Sequence, residues 1–193
     1  MGWMAQKIMS SGSGADSLDA VASIHLAAKN PVIVEIGPGA GYAMSGMISN
    51  FSPSRIYGIE ISEAFRKSLS EDEQFSKLIK TGVLSLHGDD AKDLPFIPDN
   101  SVDLLFAHNV IYFLDPIDLY LKEAYRILKP GGQVFWGVKD MAKQMDKNVY
   151  INTDWDKCLE AMKAAGFTDV QQKKGRLEGG LAYIPLYGIK KHN

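Results

Sequence analysis

With 193 residues and a formal net charge of −2, the chain suits one domain with a substantial core and offers a polyanion no electrostatic attraction, so no nucleic-acid partner is expected. A single cysteine, Cys158, excludes a disulfide framework and a multi-cysteine metal site, so no metal is expected and a reducing compartment is. No apolar run approaches the roughly 20 residues that cross a bilayer, and Met1 to Lys7 lacks the apolar core of a secretion signal, so a cytoplasmic protein without a membrane anchor is expected.

Residues 1 to 15 end in Ser10-Ser11-Gly12-Ser13-Gly14 and read as a flexible segment, leaving a single domain over 16 to 193. Asp16 or Ser17 is suited to cap a helix running to about Lys29, where Pro31 disfavours helical geometry at Asn30. Leu18, Val21, Ala22 and His25 share one face of it, and His25 reads as a surface or edge residue.

Val32-Ile33-Val34-Glu35-Ile36 is the β-branched run of a strand buried on both faces. It breaks into Gly37-Pro38-Gly39-Ala40-Gly41-Tyr42, with glycine at every second position. Met44, Met47, Ile48 and Phe51 then recur at i, i+3, i+4 and i+7, the stripe of an amphipathic helix. Strand, glycine loop and helix together form a nucleotide-type site: glycines let the backbone approach a ligand, and free N–H groups at a helix start favour a carboxylate or phosphate. A dinucleotide fingerprint wants G-x-G-x-x-G/A, but here the bulky Tyr42 stands where the last small residue should be.

Arg55 to Glu60 reads as a second strand ending on a carboxylate, at the offset from Gly41 where βαβ nucleotide folds hold ribose hydroxyls. Ser62 is suited to cap a helix carrying Phe65 and Leu69, a short helical piece follows over Glu71 to Ile79, and Val83 to His87 is the third strand. Val102 to Ala107 is a fourth, buried strand, which delivers His108-Asn109-Val110-Ile111-Tyr112-Phe113 to the edge where open α/β sheets bind ligands. Asp115 reads as an N-cap with Pro116 at the first helical position, and that helix stops at Lys129-Pro130-Gly131-Gly132.

Gln133 to Val138 is the fifth strand, and Lys139 to Asn152 is polar. Asp154 is suited to cap a helix whose apolar stripe includes Trp155, Cys158 and Met162, so Cys158 reads as a small buried hydrophobe rather than a nucleophile. Thr168 to Lys174 and Leu181 to Lys190 supply two last strands, and Pro185, lacking a donor, suggests a bulge or bend in the second. Seven strands alternating with helices until the last pair indicate an α/β sheet ending in a hairpin.

Four stretches carry a family resemblance. E-I-G-P-G-A-G at 35–41 resembles motif I of class I S-adenosylmethionine (SAM)-dependent methyltransferases, and G-D-D-A-K-D-L-P-F at 88–96 is similar to their G-D-A-x-x-L-P-F segment with one extra residue. Y-R-I-L-K-P-G-G at 125–132 resembles their segment before the fifth strand, and Ala165-Gly166-Phe167 matches before the penultimate one. The chain thus resembles the UbiE-type, small-molecule branch over residues 32 to 190. The resemblance implies a Rossmann-like sheet of seven strands in order 3-2-1-4-5-7-6, strand 7 antiparallel, with helices on both faces. It also implies SAM as methyl donor, S-adenosylhomocysteine as product, a small-molecule acceptor, and a monomer or homodimer.

Carried onto this sequence, it assigns cofactor contacts to Glu35, Gly37, Pro38, Gly39, Gly41, Tyr42, Glu60, Ile61, Asp90, Ala91, His108 and Asn109. Glu35 would partner the ammonium of the donor's amino acid and the loop amides its carboxylate. Glu60 would hold the ribose diol, while Asp90 would accept the adenine amino proton and Ala91 N–H would reach the ring; the extra residue puts Asp89 beside them. Tyr42 and Tyr112 offer aromatic faces to a sulfonium. His108, with an ordinary pKa near ~6.5, would take the proton of a hydroxyl or carbon acid, or only line the pocket. Tyr112 and Phe113, with Trp3, Met141, Met145 and Tyr150, suit an apolar or aromatic acceptor. Two other classes remain: an NAD(P)-dependent oxidoreductase, which fits Glu60 but neither Tyr42 nor L-K-P-G-G, and a non-catalytic SAM-binding protein.

Overall fold

The computed structural model describes residues 14–174 and 183–192. The expected flexible segment up to residue 13, Trp3 within it, and the expected start of the last strand at Leu181 lie outside them. One sheet holds β1 (Val32–Ile36), β2 (Arg55–Ile59), β3 (Leu84–His87), β4 (Val102–His108), β5 (Leu128–Lys139), β6 (Phe167–Gln172) and β7 (Tyr183–Lys190). Its order is β3-β2-β1-β4-β5-β7-β6, the order implied by the resemblance. β7 runs antiparallel to both neighbours, and the other pairs are parallel.

Side chains alternate between faces along a strand, and Ile33 and Val34 are both fully buried, so β1 must be covered on both sides. Helices α1 (Gly14–Ala22), α2 (Tyr42–Phe51), α3 (Glu63–Glu71) and α4 (Glu73–Lys80) close over Ile33, Ile56, Leu104 and Phe106. Helices α5 (Ile117–Ile127) and α6 (Trp155–Ala164) close over Val34, Leu105, Val134 and Trp136. By the same alternation Glu35 follows Ile33, and His108 follows Phe106, onto the α1–α2 side. Cys158 is buried on α6 as read.

Ser62 and Asp154 cap α3 and α6, accepting from Phe65 N and Lys157 N, and Asp72 rather than Glu71 opens α4. Four boundaries depart from expectation. Helix α1 already includes Gly14 and Ala15, within the segment read as flexible, and it ends at Ala22 rather than near Lys29. The Ser23 hydroxyl takes the Ala20 carbonyl at 2.7 Å, local competition that lets the chain extend and bury Ile24. Pro116 follows a cis peptide and is itself the N-cap of α5, extended at ψ 137°, so Asp115 is not the cap. Strand β5 already contains Lys129 to Gly132, with a register shift opposite Val102 and Leu104.

Pro185 sits in regular pairing with Gly137 of β5. Its carbonyl accepts Lys173 N–H at 2.9 Å, so its nitrogen faces the same side, beyond the end of β6, and no donor to β5 is lost. The bulge lies in β6 instead, between Thr168 and Gln171, where Asp169 has φ 50°.

Candidate active site

The loop after β1 is left-handed at Gly37 and Gly41, with φ of 68° and 82°. A Cβ at Gly37 would lie 2.6 Å from Val110, and one at Gly41 2.6 Å from Phe75, so both positions require glycine twice over. The loop braces itself: Gly37 N donates to Ile59 O (2.8 Å), Gly41 N to Pro38 O (2.8 Å) and Gly39 N to the Glu60 carboxylate (3.1 Å). These glycine amides therefore serve protein acceptors, in contrast to the expectation that they face a ligand. The next amides are those at the start of α2, which has no capping side chain at Gly41. Tyr42 and Ala43 of that turn line a cavity of about 700 Å³ at the carboxyl edge of β1, β2 and β4.

The cavity brings together Glu35, Gly37, Pro38, Gly39, Tyr42, Glu60, Ile61, Asp90, Ala91, His108 and Asn109 from the sequence-assigned set; Gly41 is left behind its wall. Glu35 is 3% exposed, and its Oε2 has no hydrogen-bond partner. Burial, then repulsion from Glu60, pushes its carboxyl up to about 8. Glu60 is its opposite: Oε2 accepts from Gly39 N and Oε1 from Ser62 N (2.9 Å). Two neighbouring acids are thus distinguished, one accepting a backbone N–H on each oxygen and one with a buried oxygen that accepts none.

Asp89 and Asp90 both line the cavity. Burial works against the Asp90 carboxylate, but hydrogen bonds from Lys92 and the Tyr120 hydroxyl outweigh it and hold the group below the usual range. Lys92 Nζ stands 2.9 Å from Asp90 Oδ2. The loop that carries Asp90 is pinned from below by Arg126, which donates to Leu94 O and Ile97 O, each at 3.0 Å. Glu123 Oε1 in turn accepts Leu94 N at 2.7 Å.

His108 lies over Gly137 of the neighbouring strand, whose Cβ, were there one, would be 2.8 Å from Nδ1. Neither ring nitrogen has a hydrogen-bond partner. Burial is the main cause that drives its pKa down to about 4; Asp16 opposes the shift and Lys139 adds to it, so the ring is neutral rather than poised near 6.5. Lys139 Nζ is 2.8 Å from Asp16 Oδ2, a buried charge contact without aligned hydrogen-bond geometry. Tyr112 is buried and does not line the cavity. Its hydroxyl accepts Lys139 N–H and donates to Asn109 Oδ1, which fixes a cavity residue indirectly. Phe113 does line the cavity and is half-exposed.

Sequence reasoning missed Ser17, Phe65, Leu114 and Tyr120 in the wall, and the Asp16–Lys139 pair beside it. Tyr120 carried a usable signal, a polar-tipped aromatic on the first turn of a helix that starts at the sheet's open edge. The ion pair joins residues 16 and 139, and nothing local announces it.

A seven-stranded sheet with β7 reversed, a glycine loop after β1 and acids at the ends of β1 and β2 make this a Rossmann-like class I methyltransferase fold. The chain belongs to the family described as "Methyltransferase domain", whose model matches residues 34–136. It is 28% identical over 165 residues to 2-methyl-6-phytyl-1,4-hydroquinone methyltransferase 2, chloroplastic, of Oryza sativa, covering 81% of this chain and 44% of that protein. The chain therefore spans under half the length of that curated relative. Among solved structures it resembles the putative methyltransferase in complex with the Haloferax volcanii Trm112 activator (TM-score 0.78, 20% identity, 98% of this chain and 94% of that one). It also resembles Haemonchus contortus phosphoethanolamine N-methyltransferase 2 in complex with SAM (TM-score 0.69, 14% identity, 99% and 53%).

Proposed function

We propose that this domain transfers the methyl group of SAM to a small apolar or aromatic acceptor by in-line displacement, leaving S-adenosylhomocysteine. The observation that carries the reading is Glu35, a buried carboxyl with an oxygen no protein group satisfies, facing a cavity beside a glycine loop. Such a group awaits a cation. SAM, when bound, supplies a methyl carbon made electrophilic by a sulfonium, and its amino acid supplies the ammonium that Glu35 lacks. The amides opening α2 suit its carboxylate. Glu60 keeps lone pairs beyond those taken by Gly39 and Ser62, enough to accept from a vicinal diol. Asp90 and Ala91 are assigned to adenine, with Ile61 on the same wall. Orienting two reactants in this way supplies on the order of 7–11 kcal/mol of the rate acceleration.

His108 is assigned to the acceptor's proton. Its low basicity is no obstacle, because a hydroxyl that has gained a methyl is a strong acid, and a neutral imidazole takes its proton readily. Asn109 and Phe113 are assigned to the acceptor's contacts, with Tyr112 behind them. A cytoplasmic location fits this reading, in keeping with a lone, buried thiol pushed up to about 11, and the domain is taken to act as a monomer or homodimer.

Thermal-shift titration with SAM, S-adenosylhomocysteine, NAD and NADP tests the donor, since only a bound ligand raises the melting temperature. Stabilisation by the adenosyl pair alone is expected, and stabilisation by a nicotinamide alone would return the oxidoreductase reading. Transfer of labelled methyl from SAM to a panel of phenols and amines separates a transferase from a SAM-binding protein.

A further inference from the structure

Beyond β4 the chain turns through Asn109, whose φ of 60° is left-handed, a region that asparagine tolerates better than most residues with a side chain. Strand β5 fixes that turn from the side. Residues two apart on a strand direct their backbone groups to the same neighbour, and here Gly137 O accepts Asn109 N at 2.8 Å while Lys139 N–H donates to the Tyr112 hydroxyl. An N–H can only donate, so the Tyr112 oxygen accepts there and its own proton must go elsewhere. It goes to Asn109 Oδ1, 3.2 Å away. Burial pushes the Tyr112 hydroxyl well above the usual tyrosine range, so it keeps the proton that it donates.

This sequence of donors fixes which way the Asn109 amide faces. Asn109 lines the cavity, yet its oxygen is turned to a buried hydroxyl that does not, so the end left for the cavity is the nitrogen. Nδ2 meets no acceptor among the described residues, and unlike the orphaned atoms of Glu35 and His108 it is not sealed from solvent.

We propose that Tyr112 locks Asn109 so that two N–H donors, and no acceptor, meet the methyl acceptor beside His108, and that the methylated atom is therefore an oxygen rather than an amine nitrogen. This rests on the methyltransferase reading and names the acceptor atom which that reading leaves open. Lone pairs decide between the two. A hydroxyl oxygen has two: one accepts from Asn109 while the other bonds the methyl carbon, the carbon–sulfur bond breaks with its electron pair going to sulfur, and the hydroxyl proton passes to His108. An amine nitrogen has one, and an N–H donor that takes it blocks attack. Asn109 is then a catalytic residue in contact with the reacting atom, and Tyr112 a positioning residue behind it.

Neutron diffraction from deuterium-exchanged crystals reads the amide directly. The Tyr112 deuteron should lie toward Asn109 Oδ1 and the two on Nδ2 toward the cavity; an amide turned with Nδ2 against the Tyr112 oxygen overturns the proposal. Titration calorimetry of the shape-matched pair 4-propylphenol and 4-propylaniline, into protein saturated with S-adenosylhomocysteine, reads the consequence. The phenol should bind about threefold to tenfold tighter, the worth of one neutral hydrogen bond. Asn109→Asp keeps an acceptor for Tyr112 and tolerates the same φ but offers no N–H, so it should erase or reverse that preference. Tyr112→Phe, which releases the amide, should shrink it, and an unmoved ratio would leave Tyr112 merely structural and overturn its role. A phenol bound no better than its aniline by the parent protein, whether both bind or neither does, overturns the proposal. Failure of S-adenosylhomocysteine to bind counts against the methyltransferase reading alone, because the amide is still read in the crystal.

Discussion

Glu35 and Glu60 stand together at the ends of adjacent strands, yet only Glu60 has its oxygens taken by backbone donors. The field of Glu60 adds to burial in keeping the Glu35 carboxyl protonated up to about pH 8. Glu35 binds a proton in the folded chain that it has already released in the unfolded one between about pH 4.5 and 8. The folded state holds more protons in that window, so stability falls as pH rises through it. Glu35→Gln should match the parent near pH 5 and surpass it by pH 8.5 in urea-denaturation midpoint. Equal pH dependence in the two proteins would sink this account.

The same carboxyl must ionise to meet an ammonium. SAM binding below pH 8 should therefore release about one proton from Glu35, with affinity rising up to tenfold per pH unit toward pH 8. Calorimetry in buffers of different ionisation enthalpy measures that proton directly. In Glu35→Gln the release should vanish along with most of the affinity.

His108 makes the opposite contribution. Its pKa is lowered from 6.5 to about 4, so the unfolded chain binds the extra proton there, and this stabilisation is complete above 6.5 and lost as pH falls to 4. For catalysis at saturating SAM, where the Glu35 ionisation no longer limits binding, the acid limb of the turnover profile should lie below pH 5 rather than near 6.5, and His108→Gln should lower turnover about 100-fold. Turnover unaltered by His108→Gln from pH 5 to 9, with SAM affinity intact, would leave the imidazole as cavity wall.

Much of this arrangement was legible beforehand. Val32 to Ile36 reads as a buried strand because nothing polar but Glu35 interrupts it, and Glu60 follows the loop at the spacing a βαβ unit enforces. What was not legible depends on packing across distance. The basicity of His108 is set by burial under α1 and by Asp16 and Lys139, and that the glycine amides turn inward follows from where Ile59 and Glu60 end. Arg126 shows the limit well. Its motif, R-x-L-K-P-G-G, reads as a helix stop, whereas its guanidinium serves the L-P-F loop some thirty residues earlier.

That contact gives a prediction of its own. Arg126 bonds two loop carbonyls, Glu123 and Asp99, so Arg126→Ala leaves a largely buried carboxylate without its cation and should cost about 2–3 kcal/mol. Arg126→Lys, a point charge without the planar fork, should retain only part of the loss. Because the loop bears Asp90 and Ala91, both variants should also weaken SAM binding under conditions where they remain folded. Denaturant titration and calorimetry measured together distinguish this from a purely structural role, in which affinity per folded molecule would not change.

Asp16 and Lys139 tie α1 to the end of β5, across the wall in which Ser17 and His108 both stand. Removing one member of a buried pair strands the other, so Asp16→Asn should destabilise by about 3 kcal/mol, and a double-mutant cycle with Lys139→Gln should give a coupling of about 1–3 kcal/mol. The loss should be local first. Hydrogen exchange of the α1 amides should accelerate in Asp16→Asn while those of β1 and β4 keep their protection, because α1 is the element the pair holds down. Loss of the Asp16 field also lowers the basicity of His108 further, so the acid limb of the rate profile should move to lower pH and turnover should fall. Uniform acceleration of exchange across the sheet, with no coupling in the cycle, would show that the contact does not fasten α1 and that its bearing on His108 is incidental.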